Sequence, residues 1–139
     1  MARIIIADDD ELIIEVVRAA LDPRGHIVGA LPDGNDVQRI VEQRRPDLLI
    51  LDCAMPGLSG VQVLRNLRNS HTAYAVPVLM LTARASTADE NIALLAGADE
   101  YLRKPFDPDQ LVAAVESLLE QSAKRAAQEA RQGRKFTSV

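Results

Sequence analysis

The chain is short of several things, and each shortage narrows its role. Among 139 residues there is one cysteine, Cys53. No internal disulfide can form, and a reducing cytoplasm is the expected compartment. Tryptophan is absent and only Tyr74, Tyr101, Phe106 and Phe136 are aromatic, too few for the stacking platforms that grip single strands of nucleic acid. The longest apolar run, Ala75–Leu81, contains Pro77 and falls far below the ~20 residues of a spanning helix, so no membrane segment is expected. Ile4-Ile5-Ile6 is cut off at Asp8, and no signal peptide is expected either. Positive charge is scarce over most of the chain. The formal net charge is −4, yet residues 121–139 hold Lys124, Arg125, Arg131, Arg134 and Lys135 against Glu129, a net +4 that leaves −8 on residues 1–120. An acidic body of this kind disfavours direct contact with nucleic acid.

What is present is an ordinary globular composition, 47% apolar and 26% charged, at the length of one domain. Short aliphatic runs predict strands at Arg3–Ala7, His26–Ala30, Asp47–Leu51, Val76–Leu81 and Glu100–Leu102. Their continuous apolar character predicts a sheet covered on both faces. Helical spacing fills the intervals. Glu11–Leu21 offers Leu12, Val16, Ala19 and Ala20 as an inner face; Asn35–Arg44 offers Val37, Ile40 and Val41; Ser59–Arg68 offers Val61, Leu64 and Leu67; Thr87–Ala96 offers Ile92, Leu95 and Ala96. Pro108 suits the first turn of a last helix with Leu111, Val112, Val115, Leu118 and Leu119 inward. Five strand–helix units in succession predict an α/β fold, a doubly wound five-stranded parallel sheet with right-handed crossovers.

In such a sheet ligands bind beyond the carboxyl ends of the strands. Strand one ends in Ala7-Asp8-Asp9-Asp10, strand three in Leu51-Asp52 and strand four in Leu81-Thr82, and strand five is followed by Arg103-Lys104-Pro105. Taken singly, each has a plainer use: the aspartates as helix caps or loop starts, Thr82 as a cap, Lys104 as a solvated cation. Together they put carboxylates, a hydroxyl and an ammonium on one edge. Clustered carboxylates repel one another unless a cation joins them. Oxygen donors without thiolate or imidazole suit a hard ion such as Mg²⁺. A carboxylate beside such an ion can attack a phosphoryl group.

At this point the sequence resembles a response-regulator receiver domain of two-component signalling. The resemblance covers about residues 2–119. It is carried by Ile4-Ile5-Ile6-Ala7-Asp8-Asp9, by Leu49-Ile50-Leu51-Asp52 with Met55-Pro56-Gly57-Leu58-Ser59-Gly60, by Leu81-Thr82-Ala83, by Gly97-Ala98-Asp99 and by Lys104-Pro105-Phe106. It implies a flavodoxin-like fold with strand order 2-1-3-4-5. Asp52 would be the phosphoacceptor. Asp8, Asp9, Asp52 and the backbone carbonyl of Ala54 would hold Mg²⁺. Lys104 would pair with the phosphoryl oxygens, Thr82 and Tyr101 would be the switch residues, and the Lys104–Pro105 bond would be cis. The donor would be a histidine kinase or phosphotransfer protein. The output would pass to a downstream effector protein through the face of helix four, strand five and helix five. The chain would be a signalling module and not an enzyme acting on an external metabolite.

Ala54 and Arg84 fall two residues after Asp52 and Thr82, positions that tune phosphoryl lifetime in the family. Cys53 points away from Asp52 along a strand and reads as a small core residue. His26 and His71 read as structural or surface groups. An alternative is a haloacid-dehalogenase-type phosphohydrolase with Asp8 as nucleophile, although Leu12 stands where that motif has threonine or valine. The receiver domain is expected to span residues 1–120. Residues 121–139, alanine-rich and basic, are expected to extend the last helix to a stop at Gly133, as a linker, a dimerising helix or a basic contact. A dimer formed on phosphorylation is one arrangement open to it.

Overall fold

The computed structural model describes residues 1–83 and 87–137, with residues 87–90 and 133–137 described by their backbone alone. The strands are β1 (Arg3–Ala7), β2 (Ile27–Leu31), β3 (Leu48–Asp52), β4 (Val78–Thr82) and β5 (Glu100–Arg103). The helices are α1 (Glu11–Leu21), α2 (Val37–Arg44), α3 (Gly60–Arg68), α4 (Thr87–Ala96) and α5 (Pro108–Thr137). All strand pairs are parallel and the order is β2-β1-β3-β4-β5. The strand order therefore agrees with the flavodoxin-like topology.

Strands alternate their side chains between two cores. Ile5, Ala7, Leu49, Leu51, Val78 and Met80 face α2, α3 and α4. Ile4, Ile6, Leu48, Ile50, Leu79 and Leu81 face α1 and α5. β3 and β4 are buried along their whole length, as continuous apolar runs require.

The differences from expectation are local. β3 and β4 each end one residue later than predicted, because the Cys53 N–H reaches the Leu81 carbonyl at 2.9 Å and the Lys104 N–H reaches the Thr82 carbonyl at 2.7 Å. Asp52 and Thr82 are thus the last residues of strands. α1 buries Val17 and Leu21, with Ile13, Ile14 and Ala20 packed beside them, and leaves Leu12 66% exposed. Its sequence is apolar nearly all round, so two faces fit one period. α4 turns Ala93 and Ala96 inward and leaves Ile92 and Leu95 46% and 89% exposed; methyl groups, not the large side chains, make its contact with the core. Finally, α5 runs through Gly133 to Thr137. A glycine inside a helix costs only about 1 kcal/mol, which the flanking alanines and charged residues offset.

Candidate functional site

Each chemical group is delivered by a strand end and fixed by a local backbone device. At the end of β1 the Asp8 N–H bonds the Leu31 carbonyl of β2 at 3.1 Å. Its carboxylate accepts the Asp10 N–H at 2.9 Å. Asp10 in turn caps α1, accepting the Leu12 N–H at 2.9 Å. At the end of β3, Asp52 accepts the Ala54 N–H at 3.4 Å. Behind it Gly60, whose N–H bonds the Cys53 carbonyl at 3.0 Å, leaves no room for a Cβ, which would overlap the Asp52 carbonyl. Gly60 closes the Met55–Gly60 motif of the sequence, and this close approach is the reason that only glycine fits there.

The strand ends meet as the parallel order demands. One carboxylate oxygen from each of Asp8, Asp9 and Asp52 lies within 4.8 Å of the others. Lys104 Nζ stands 2.9 Å from Asp8 Oδ2 and 3.4 Å from Asp52 Oδ1. Asp8 and Asp52 are 0% and 5% exposed, Asp9 is exposed, and Lys104 is partly buried. Burial pushes the Asp52 carboxyl above its usual value and the nearby Asp8 charge adds to this; Lys104 and the Ala54 N–H pull the other way without cancelling it. Burial alone would lower the Lys104 ammonium, but Asp8 and Asp52 outweigh it and hold it above its usual value.

Thr82 is buried at the end of β4, and Tyr101 on β5 is half-buried against the α2–α3–α4 core. The Lys104–Pro105 bond is cis. Cys53 packs against that same core, on the face away from Asp52. His26 Nδ1 accepts the Ala2 N–H at 3.1 Å, and His71 is exposed in the turn after α3. Ala54 is exposed, and Arg84 lies outside the described residues.

The donor set is all hard oxygen, with three carboxylates and no imidazole or thiolate in the cluster. That chemistry fits Mg²⁺ or another oxygen-seeking divalent ion. Both Asp8 oxygens are engaged, one by the Asp10 N–H and one by Lys104. This leaves Asp8 poorly placed as a nucleophile, and the dehalogenase reading is not favoured.

Residues 4–116 match the family model described as response regulator receiver domain. The chain is 41% identical over 117 residues to the transcriptional regulatory protein CseB of Streptomyces avermitilis, covering 84% of this chain and 48% of that one. It is 39% identical to the DNA-binding response regulator MtrA of Mycobacterium tuberculosis, covering 84% and 50%. The chain therefore spans about half the length of these curated relatives. The expectation of no direct nucleic-acid contact is not supported by relatives named as DNA-binding, and the acidic balance speaks only for residues 1–120. Among solved structures, the receiver domain of a sensor histidine kinase from Pseudomonas aeruginosa, with magnesium in its active-site cleft, aligns with a TM-score of 0.79 at 30% identity, covering 86% of this chain and 98% of that one. No described helix is long and apolar enough to cross a membrane.

Proposed function

The chain belongs to the response-regulator receiver family, and on that footing we propose that Asp52 accepts a phosphoryl group from the phosphohistidine of a histidine kinase or phosphotransfer protein. Asp8, Asp9, Asp52 and the Ala54 carbonyl would hold Mg²⁺. The ion, when bound, supplies positive charge beside the transferring oxygens. An Asp52 oxygen forms the new bond to phosphorus while the phosphorus–nitrogen bond breaks, and the imidazole leaves with its electron pair and takes a proton from solvent. Lys104 neutralises charge on the phosphoryl oxygens from the protein side. The Thr82 hydroxyl donates to one of those oxygens, and Tyr101 follows it inward. The change then biases a pre-existing equilibrium at the face of α4, β5 and α5, where the exposed Ile92, Leu94 and Leu95 suit contact with an effector protein.

A receiver is a signalling module, and catalysis of its own phosphorylation and dephosphorylation would be its whole chemistry. A cytoplasmic location suits its lone cysteine. We place the receiver at residues 1–120, and assign any DNA contact of the whole protein to parts outside that acidic segment. Residues 121–139 would serve as linker or dimerising helix.

The observation that carries the reading is the Lys104 ammonium shared between Asp8 and Asp52. It is tested by intact-mass measurement after incubation with acetyl phosphate, with and without Mg²⁺. One phosphoryl group is expected on the wild type with Mg²⁺ and none on Asp52→Asn. Equal labelling of the variant would refute the assignment.

A further inference from the structure

Two loops beside the site interlock through two glycines. Gly34, in the β2–α2 loop, is buried. A Cβ there would overlap the Leu58 carbonyl of the β3–α3 loop, and the Gly34 N–H points to the Pro56 carbonyl at 3.5 Å. In return Gly57 has φ +78°, and a Cβ on it would overlap the Asn35 carboxamide. The Asn35 N–H is held by the Asp33 carboxylate at 2.9 Å, which fixes the backbone from which that side chain leaves. The two loops are thus in close contact, backbone against backbone at Gly34 and side chain against backbone at Gly57.

The β3–α3 loop is clamped at its far end as well. Gly60 sits against the Asp52 carbonyl, and Ser59 caps α3 through the Gln62 N–H at 3.2 Å. Gly60 also donates its N–H to the Cys53 carbonyl at 3.0 Å, so Ala54 lies between Cys53, held by Gly60, and Pro56, approached by the Gly34 N–H. The β2–α2 loop, for its part, leaves β2 at Leu31, whose carbonyl fixes the Asp8 backbone. One element thus references both sides of the cluster.

From this geometry we infer that the Gly34–Asn35 turn is a positioning element for the divalent ion, one that holds the 54–58 arch so that the Ala54 carbonyl meets it. The inference rests on the reading above that this site takes Mg²⁺. Gly34 and Asn35 are not among the carboxylates of the cluster. Their effect falls on the carbonyl because carboxylates can follow an ion by turning side-chain torsions, whereas a backbone carbonyl moves only with its loop. Mg²⁺ demands near-octahedral geometry at about 2.0–2.1 Å, while Ca²⁺ accepts looser shells at about 2.3–2.6 Å. A loosened arch should therefore cost Mg²⁺ more than Ca²⁺.

The test is calorimetric titration of the full chain with Mg²⁺ alone and with Ca²⁺ alone. Gly34→Ala is expected to weaken Mg²⁺ binding about tenfold, in the range of lost supporting contacts at metal sites, and Ca²⁺ binding less than about twofold. Gly29→Ala is the control, since a Cβ at Gly29 meets nothing within 4 Å, and it should bind both ions as wild type does. If Gly34→Ala does not fold, Asn35→Ala decides, with Mg²⁺ binding about tenfold weaker expected. Hydrogen exchange on metal-free Asn35→Ala should quicken at residues 53–58 and stay unchanged in β1. A folded variant with wild-type Mg²⁺ affinity, or equal losses for both ions, would overturn the inference. A wild type that takes up no Mg²⁺ would instead refute the functional reading, and the exchange measurement would still report on the interlock.

Discussion

Lys104 gives its ammonium to Asp8 at 2.9 Å across 96 positions of sequence, and stands further from Asp52, at 3.4 Å. The lysine neutralises Asp8 more closely than it neutralises Asp52, the proposed phosphoacceptor. Without a divalent ion it supplies the counter-charge the cluster needs.

Lys104→Ala should therefore separate binding from chemistry. With the competing ammonium gone, Mg²⁺ is expected to bind about three- to tenfold more tightly, a modest electrostatic gain in a partly screened site. Labelling by acetyl phosphate should slow by about 10²-fold at saturating Mg²⁺, the usual cost of losing one charge-stabilising group. Titration calorimetry and a mass time course read the two effects separately.

Stability should depend on pH through Asp52. Burial first, and Asp8 second, raise its carboxyl above the ordinary value of 3.8, so the folded protein binds this proton more tightly than the unfolded chain does. The resulting stabilisation is full below pH 3.8 and is lost as pH rises through the higher folded value. In metal-free buffer at pH 7.5, Asp52→Asn is expected to melt a few degrees above wild type, and the difference should vanish toward pH 4. Mg²⁺ should raise the wild type more than the variant. Lys104, also raised but from 10.5, keeps its contribution across this range and loses it only above that value. Calorimetric melts along the pH series check the sign.

Arg68, at the end of α3, binds the carbonyls of Gly97 at 2.9 Å, Tyr74 at 3.0 Å and Val76 at 2.7 Å, and the Asp99 carboxylate at 2.9 Å. Asp99 also accepts the Val78 N–H at the start of β4. Arg68→Ala strands these acceptors and is expected to cost about 2–4 kcal/mol. Arg68→Lys should recover little, because an ammonium cannot reach four acceptors in the guanidinium fork. Urea unfolding midpoints measure both.

Removal of residues 123–139 should leave the rest intact. Residues 123–132 are all exposed, and Ser122 is the last residue of α5 described as partly buried. Stability is expected to stay within about 1 kcal/mol of the full chain, with unchanged Mg²⁺ binding. A collapse of the melting transition would show that the extension belongs to the folded unit.

Much of this site was legible before any coordinates, because its residues occupy strand ends and strand ends are marked by abrupt changes from aliphatic to charged. Asp8, Asp52 and Lys104 stand at such changes, and the structure brings the three together. The helix faces were less legible. In α1 the run Leu12-Ile13-Ile14 admits two registers of the same period, and Val17 with Leu21 decided between them. In α4 large residues were expected inside, but the contact with the core is made by Ala93 and Ala96. The glycines at 34, 57 and 60 carried no visible reason in one dimension, since what each excludes is an atom from another segment.

The order of apolar runs and helical intervals was sufficient by itself to determine a parallel sheet, and with it the meeting of distant acidic groups on one edge, because right-handed crossovers leave parallel strands no other way to end. Tertiary structure alone decided which carboxylate the lysine approaches, which face of each helix is buried and which loops lock together. Those outcomes depend on how segments distant in sequence pack against one another, and no spacing along a chain encodes a distance across it.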